Sequence, residues 1–133
     1  MGTGIMICGM NGSGKSTLGK ALAERLNFRF IDNENLYFQR SGPNEPYGTG
    51  RTKEEVITLL MEEVQRYPDF VFVAVKGDYG QDILPLYNYI VMVEIPRDIR
   101  LERVRNRSYM KFGERMLPGG DLYEKEEQWF KLV

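Results

Sequence analysis

The chain has 133 residues, of which 42% are hydrophobic, 12% aromatic and 28% charged, with a formal net charge of -1. That length holds one domain burying somewhat under ~70% of the surface its unfolded form exposes, and the composition excludes a disordered chain. The near-zero charge excludes a global pull toward nucleic acid or an anionic membrane, so local clusters must carry any such affinity.

A single cysteine, Cys8, and the absence of histidine leave no internal disulfide and no soft-metal ligand set, which points to a reducing cytoplasm. The first residues carry neither a basic leader nor a long apolar run, and Met6 stands where a myristoylation signal needs Ser or Thr. All apolar runs are strand-sized, so a single domain over residues 1–133 with no membrane span is expected.

The first element is the run IMIC, Ile5 to Cys8, which reads as a strand buried on both faces, with Cys8 a small buried residue rather than a reactive thiol. It leads into GMNGSGKST, Gly9 to Thr17, which satisfies G-x-x-x-x-G-K-[ST] between a strand and a helix, the setting in which that motif has a mechanism. Glycines 9, 12 and 14 let the backbone turn its N–H groups inward, and the following helix N-terminus adds partial positive charge for a phosphate. Lys15 is then placed for the β- and γ-phosphates of a nucleotide, and the Ser16 hydroxyl for Mg²⁺. An ordinary glycine-rich turn would not require Lys-Ser directly after the third glycine.

Leu18, Ala21, Leu22 and Leu26 fall at i, i+3, i+4 and i+8 and predict the apolar stripe of the first helix. FRFI, Phe28 to Ile31, alternates as a half-covered strand near a sheet edge does. Asp32 and Glu34 follow at its exit, where the carboxyl ends of parallel strands surround a ligand crevice. A carboxylate there can hold a Mg²⁺-bound water or accept a proton from an attacking hydroxyl; the plainer reading is a turn residue and a solvated side chain. Glu34 to Gln39 coincides with a tag-protease recognition sequence, yet Arg40 follows the Gln and the stretch continues its surroundings, so it reads as native. The loop from Asn33 to Arg51, with Tyr37, Phe38, Arg40, Tyr47 and Arg51, is expected to shape an acceptor pocket.

Val56, Leu59, Leu60 and Val64 mark a second helix, opened by a capping box of Thr52 and Glu55. FVFVAV, Phe70 to Val75, is a third strand buried on both faces, ending in the turn KGDYG, Lys76 to Gly80. YIVMVEI, Tyr89 to Ile95, reads as a fourth strand of the same kind, and a helix starts after Pro96 from about Asp98. Alternating strands and helices of this sort predict a parallel α/β sheet. Arg97, Arg100, Arg103, Arg105, Arg107, Lys111 and Arg115 crowd the next region, with Arg100, Arg103 and Arg107 on one helix face. Planar guanidinium groups suit phosphate, and a lid over 107–120, with turn points at Gly113, Pro118, Gly119 and Gly120, could close over a nucleotide. A solvated face paired with Glu94, Asp98 and Glu102 and a nucleic-acid patch are the alternatives; the negative net charge and the lack of interleaved aromatics count against the latter. The last dozen residues form a further helix.

GMNGSGKSTLGKALAERL, the acid-x-acid at 32 and 34, and VMVEIPRDIRLERVRNR together resemble the small P-loop kinases of metabolites and nucleotides, such as shikimate, gluconate and adenylate kinases. The resemblance covers almost the entire chain. It implies a P-loop NTPase three-layer sandwich with a parallel sheet in the order 2-3-1-4, a short Arg-rich lid, ATP and Mg²⁺ as cofactors, and transfer of a γ-phosphoryl group to a small acceptor; the charge and the strand-sized apolar runs already lead us to expect no nucleic-acid or membrane partner. By the same resemblance Lys15, Asp32 and Arg107 are catalytic, and Gly9, Asn11, Gly12, Ser13, Gly14, Lys15, Ser16, Thr17, Arg103 and Arg107 bind the nucleotide. Ser16 and Asp32 take the metal, and Asp32, Glu34, Lys76, Gly77, Asp78 and Arg115 face the acceptor. KGDYG departs from the triple glycine of shikimate kinases at this turn. Family members continue past the lid with a helix and a fifth strand, so a truncated C-terminus is expected, and with it a fourth-strand edge open to a second copy. A nucleotide-binding regulatory module that transfers nothing and a polynucleotide-stimulated NTPase are the competing functions.

Overall fold

A computed structural model describes residues 2–39, 49–76 and 79–132. In chain order the elements are β1 (Gly4–Gly9), α1 (Lys15–Leu26), β2 (Arg29–Asp32), α2 (Asn33–Tyr37), β3 (Phe38–Gln39), β4 (Thr49–Gly50), α3 (Lys53–Arg66), β5 (Phe70–Ala74), β6 (Tyr89–Val93), α4 (Arg97–Phe112) and α5 (Tyr123–Leu132), with 3₁₀ turns at Leu84–Leu86 and Gly113–Met116. They divide into two compact units, Met1–Gly9 with Lys15–Met92 and Met10–Gly14 with Val93–Val133.

The first unit is built on a parallel sheet in the order β2-β5-β1-β6, which is the expected 2-3-1-4 when its four strands are counted along the chain. β1 pairs with β5 from Gly4 opposite Phe70 to Cys8 opposite Ala74, and β2 pairs with β5 from Arg29 opposite Phe70 to Asp32 opposite Val73. This register brings Ile7, Val73 and Asp32 level, so the exits of β1 and β2 lie at the same end of the sheet. Every residue of β5 is buried, as a central parallel strand requires. Its side chains alternate between two layers. Met6, Ile31 and Phe72 pack with Leu60 and Val64 of α3, whereas Ile7, Phe30 and Val73 lie beneath Gly19 of α1. Helix, sheet and helix thus form three layers.

The face by which α1 meets the sheet differs from the predicted stripe. Gly19 and Ala23 are its buried residues, while Leu18 and Leu26 are 45% and 42% exposed. Close approach is the reason: a Cβ at position 19 would lie 2.4 Å from Val73 Cγ1, so the helix docks through its smallest side chains. It ends where Asn27 takes φ 59° and the Phe28 N–H donates to the Ala23 carbonyl at 2.9 Å, a left-handed cap that closes the last turn. α3 starts as expected, with Thr52 accepting from the Glu55 N–H and the Glu55 carboxylate accepting from the Thr52 N–H. The expected loop after β2 instead begins with the short α2, and β3 and β4 pair as a two-residue antiparallel ladder.

β6 corrects the sequence reading as well. Its pattern predicts a strand buried on both faces, yet Tyr89, Ile90 and Met92 are more than 60% exposed. Among the described residues it is the last strand of the sheet, paired on one side.

In the second unit Val104, Met116 and Phe130 form a small core with Leu101, Phe112 and Trp129. Ser108 donates to the buried Glu126 carboxylate at 3.2 Å, tying α4 to α5. The segment 107–120 therefore starts as the end of α4, turns at Gly113 with φ 59°, runs through the 3₁₀ turn and bends again at Gly119 with φ 91°. Among the described residues no helix is long and apolar enough to cross a membrane.

Candidate functional site

In the first unit the site is set by the level exits of β1 and β2. α1 begins at Lys15, so Ser16 occupies its first turn, and the Ser16 hydroxyl donates to Asp32 Oδ2 at 3.0 Å. The other Asp32 oxygen accepts the Glu34 N–H at 3.0 Å, which satisfies one of the free amides at the start of α2 and fixes the carboxylate. Ser16 and Asp32, sixteen residues apart, are joined by the sheet register. Glu34 contributes its backbone to this arrangement, while its side chain is exposed. A hydroxyl beside a carboxylate oxygen is a hard donor pair of the sort Mg²⁺ takes. Among the described residues no cluster of three or more His, Cys, Asp or Glu could hold a metal, so a cation here would share these two side chains with waters and phosphate oxygens, as Mg²⁺ does at kinase sites.

Tyr79, which sequence reasoning did not single out, makes a separate contact to Asn33, the residue after Asp32. Its hydroxyl donates to Asn33 Oδ1 at 2.6 Å, and its ring packs on Phe72 with centroids 6.1 Å apart. Burial pushes the phenol pKa up, the Asn33 hydrogen bond pulls it down, and Tyr37 adds a smaller upward push. The only sequence signal was an aromatic residue inside an otherwise small and polar turn. Lys76 is exposed at the end of β5; Gly77 and Asp78 lie outside the described residues, as do Arg40 and Tyr47. Cys8 is half-buried, its thiol donating to the Val91 carbonyl at 3.6 Å. Among the described residues a hollow of about 90 Å³ is lined by Leu36, Leu59, Glu62, Glu63 and Arg66 and contains none of these groups.

In the second unit lies the glycine-rich loop Met10–Gly14. The Ser13 N–H donates to the Met10 carbonyl at 3.1 Å, and Gly12 and Gly14 take φ 82° and 89°. These are values at which an L side chain is strained, so the second and third glycines of the motif are required by the backbone itself. Position 12 has a further constraint, since a Cβ there would lie 2.4 Å from the Arg100 carbonyl oxygen of α4. Arg103 Nη1 donates to the Gly12 carbonyl at 3.4 Å, and the Arg100 guanidinium reaches Ile95 and Asn11 carbonyls at 3.0 and 3.5 Å. Ser13 Oγ is buried with no hydrogen-bond partner among the described residues, an open polar valence within the loop.

The expected stripe of Arg100, Arg103 and Arg107 is thus divided in use. Arg100 is buried against the loop, Arg103 touches it, and Arg107 is exposed on α4. Arg115 forms a two-point pair with Asp121, Nε to Oδ1 at 3.0 Å and Nη2 to Oδ2 at 2.8 Å. That pairing raises the Arg115 pKa and lowers that of Asp121.

A strand, a glycine loop with left-handed turns, a Lys-Ser helix start and a carboxylate at the next strand but one define a P-loop α/β domain. Residues 5–128 match the family model described as AAA domain (AAA_18), and the chain belongs to this family of P-loop kinase domains. It is 30% identical over 131 residues, 96% of the chain, to the "Uncharacterized protein YqaC" of Bacillus subtilis (strain 168), spanning 71% of that protein. It is 32% identical over 143 residues to a "Bifunctional shikimate kinase/3-dehydroquinate synthase" of Thermotoga maritima, where it covers 95% of its own length and 27% of the relative's. A shikimate kinase of Synechococcus elongatus is 29% identical over 122 residues, 83% of this chain and 63% of that protein. Among solved structures, a gluconokinase from Sinorhizobium meliloti 1021 superposes with a TM-score of 0.52 at 22% identity, covering 80% of this chain and 65% of that one, which supports the fold. The chain therefore spans less than two thirds of the length of both shikimate kinase relatives.

Proposed function

We propose that this chain binds ATP with Mg²⁺ and transfers the γ-phosphoryl group to a small acceptor bearing a hydroxyl or phosphate. The observation that carries the reading is the 3.0 Å hydrogen bond between Ser16, the residue after the loop lysine, and Asp32 at the exit of β2. It joins the hydroxyl and the carboxylate that a nucleotide-bound cation would need, the carboxylate standing at the strand exit expected to face the acceptor. Kinship with proteins named shikimate kinase and a fold shared with a gluconokinase support a hydroxyl acceptor.

Transfer forms a bond between the acceptor oxygen and Pγ and breaks the bond from Pγ to the bridging oxygen, releasing ADP; the acceptor's proton leaves to a carboxylate or to water. Lys15 and the amides of Gly9–Thr17 would balance the phosphate charge, with Asn11, Gly12, Ser13 and Gly14 shaping the turn. Mg²⁺, when bound, neutralises charge on the phosphate oxygens, and Ser16 and Asp32 are the groups to hold it. Asp32 or Glu34 would orient the acceptor, and Lys76, Gly77 and Asp78 are the further candidates to face it. Arg103 and Arg107 complete the charge around the transferring group. Arg115 takes an acceptor-binding role only by exchanging Asp121 for a substrate anion.

Incubation with Mg²⁺-ATP and a panel of sugar acids, cyclic polyols and nucleoside monophosphates, read by phosphorus NMR, tests this. A phosphorylated acceptor that disappears in Lys15→Ala, with the fold intact by circular dichroism, is the expected result. ATP binding without turnover on any acceptor would favour a regulatory nucleotide module, and turnover unaffected by Lys15→Ala would refute the assignment.

A further inference from the structure

The anion affinity of a glycine loop depends on which way each peptide unit points. In a trans peptide the carbonyl and the next N–H point in opposite directions, so whatever captures a carbonyl also aims the following amide. Glycines at positive φ give this loop no strong preference of its own, because glycine visits both signs of φ readily. The second unit supplies the missing constraint through α4. Arg100, only 9% exposed, donates Nε to the Ile95 carbonyl at 3.0 Å and Nη1 to the Asn11 carbonyl at 3.5 Å. Beside it the Arg100 backbone carbonyl lies against Gly12, and Arg103 Nη1 takes the Gly12 carbonyl at 3.4 Å. A buried guanidinium is costly unless its donors are used, and here they are used on the strand exit and the loop.

We propose that Arg100 is a positioning residue for nucleotide binding: it holds the Asn11–Gly12 peptide with its carbonyl toward α4, and so turns the Gly12 amide the opposite way, toward a bound anion. Arg100 does not itself touch the nucleotide. The spacing of the three arginines groups it with phosphate-facing side chains, but its guanidinium donates to the Ile95 carbonyl and to the Asn11 carbonyl of the loop. The buried, unpartnered Ser13 hydroxyl agrees with a loop already formed around a polar ligand's place. This inference rests on the reading of Gly9–Thr17 as a triphosphate loop.

Calorimetric titration of inorganic pyrophosphate and of Mg²⁺-ATP into the wild-type chain, Arg100→Met and Arg100→Lys tests it. Loss of a charge-assisted hydrogen bond that orders the loop should weaken both ligands by about tenfold or more in Arg100→Met, in equal proportion. Arg100→Lys, which keeps the charge but not the two-armed donor, should lose less, with the Gly12 amide resonance displaced in both variants. A merely structural arginine would lower the melting temperature and leave pyrophosphate affinity within about twofold of wild type, which would overturn the proposal. If Arg100→Met does not fold, the same comparison on Arg100→Lys decides. Wild-type protein that binds neither ligand would remove the loop reading and this inference together, whereas binding unchanged in the variants would remove the inference alone.

Discussion

Alanine at position 12 meets two obstacles at once: a φ of 82° that strains any L residue, and a Cβ that would lie 2.4 Å from the backbone oxygen of Arg100. Backbone cannot give way as a flexible side chain can. Gly12→Ala is therefore expected to cost about 1–3 kcal/mol of stability and to weaken ATP binding, measured by thermal melting and calorimetry. An unshifted melting temperature would show that the loop adopts another backbone. The letters Gly-Lys-Ser could be read directly because the motif's chemistry is local: φ, amides and one ammonium group within nine residues. Asp32 could be read for a related reason, since a strand exit in a parallel sheet is a known address. Arg100 could not, because whether a guanidinium faces solvent, ligand or loop depends on where its helix starts relative to a segment more than eighty residues earlier. Tyr79 was hidden likewise, its partner Asn33 being contributed by a distant strand exit.

At the level of elements, α3 was legible from both ends of its capping box. The Glu55 carboxylate accepts the Thr52 N–H, and that hydrogen bond, with the Thr52 side chain's own, holds the Glu55 pKa below its ordinary value of 4.5. A pKa lowered in the folded state means that the contribution is present above the unfolded value and is lost as pH falls through the lowered folded one. Urea denaturation followed from neutral pH to below 4.5 should thus show a shallower acid-side loss of stability in Glu55→Gln than in wild type. Identical slopes would mean that the cap does not titrate with folding. α1 shows where pattern reading fails. Its leucines repeat at helical spacing, yet Gly19 and Ala23 make the contact, since a hydrophobic count weighs size whereas docking onto Val73 rewards its absence. The region from Asn33 onward failed differently: turn-rich residues predict a loop, but Asp32 caps the five-residue α2 there.

For the molecule as a whole, a parallel α/β sheet followed from alternating apolar runs and helical segments, whereas the strand order and the three layers came from the resemblance to P-loop kinases, and family membership agrees with both. The two edges of the sheet are unlike. β2 is guarded by Arg29, which pairs with Glu63 at 3.2 Å and lies over the Tyr67 ring at 4.5 Å, so a charge interrupts that edge. β6 offers Tyr89, Ile90, Val91 and Met92, all exposed and none charged. Its composition reads as a buried strand because composition records apolarity and not which neighbours are present. We propose that this chain, where no further segment covers β6, pairs with a second copy along that edge. Sedimentation velocity should show a dimer that grows with concentration and reverts to monomer in Ile90→Lys; a monomer at every concentration would contradict this.

The central claim is that the turn between β1 and α1 receives a triphosphate. Titration of ¹⁵N-labelled protein with Mg²⁺-ATP reads it most directly, amide by amide. The account predicts that the largest displacements fall on Gly12, Gly14, Lys15 and Ser16 and are absent in Lys15→Ala. Amides of that turn left unmoved at saturating nucleotide, or displacements confined to other parts of the chain, would contradict it.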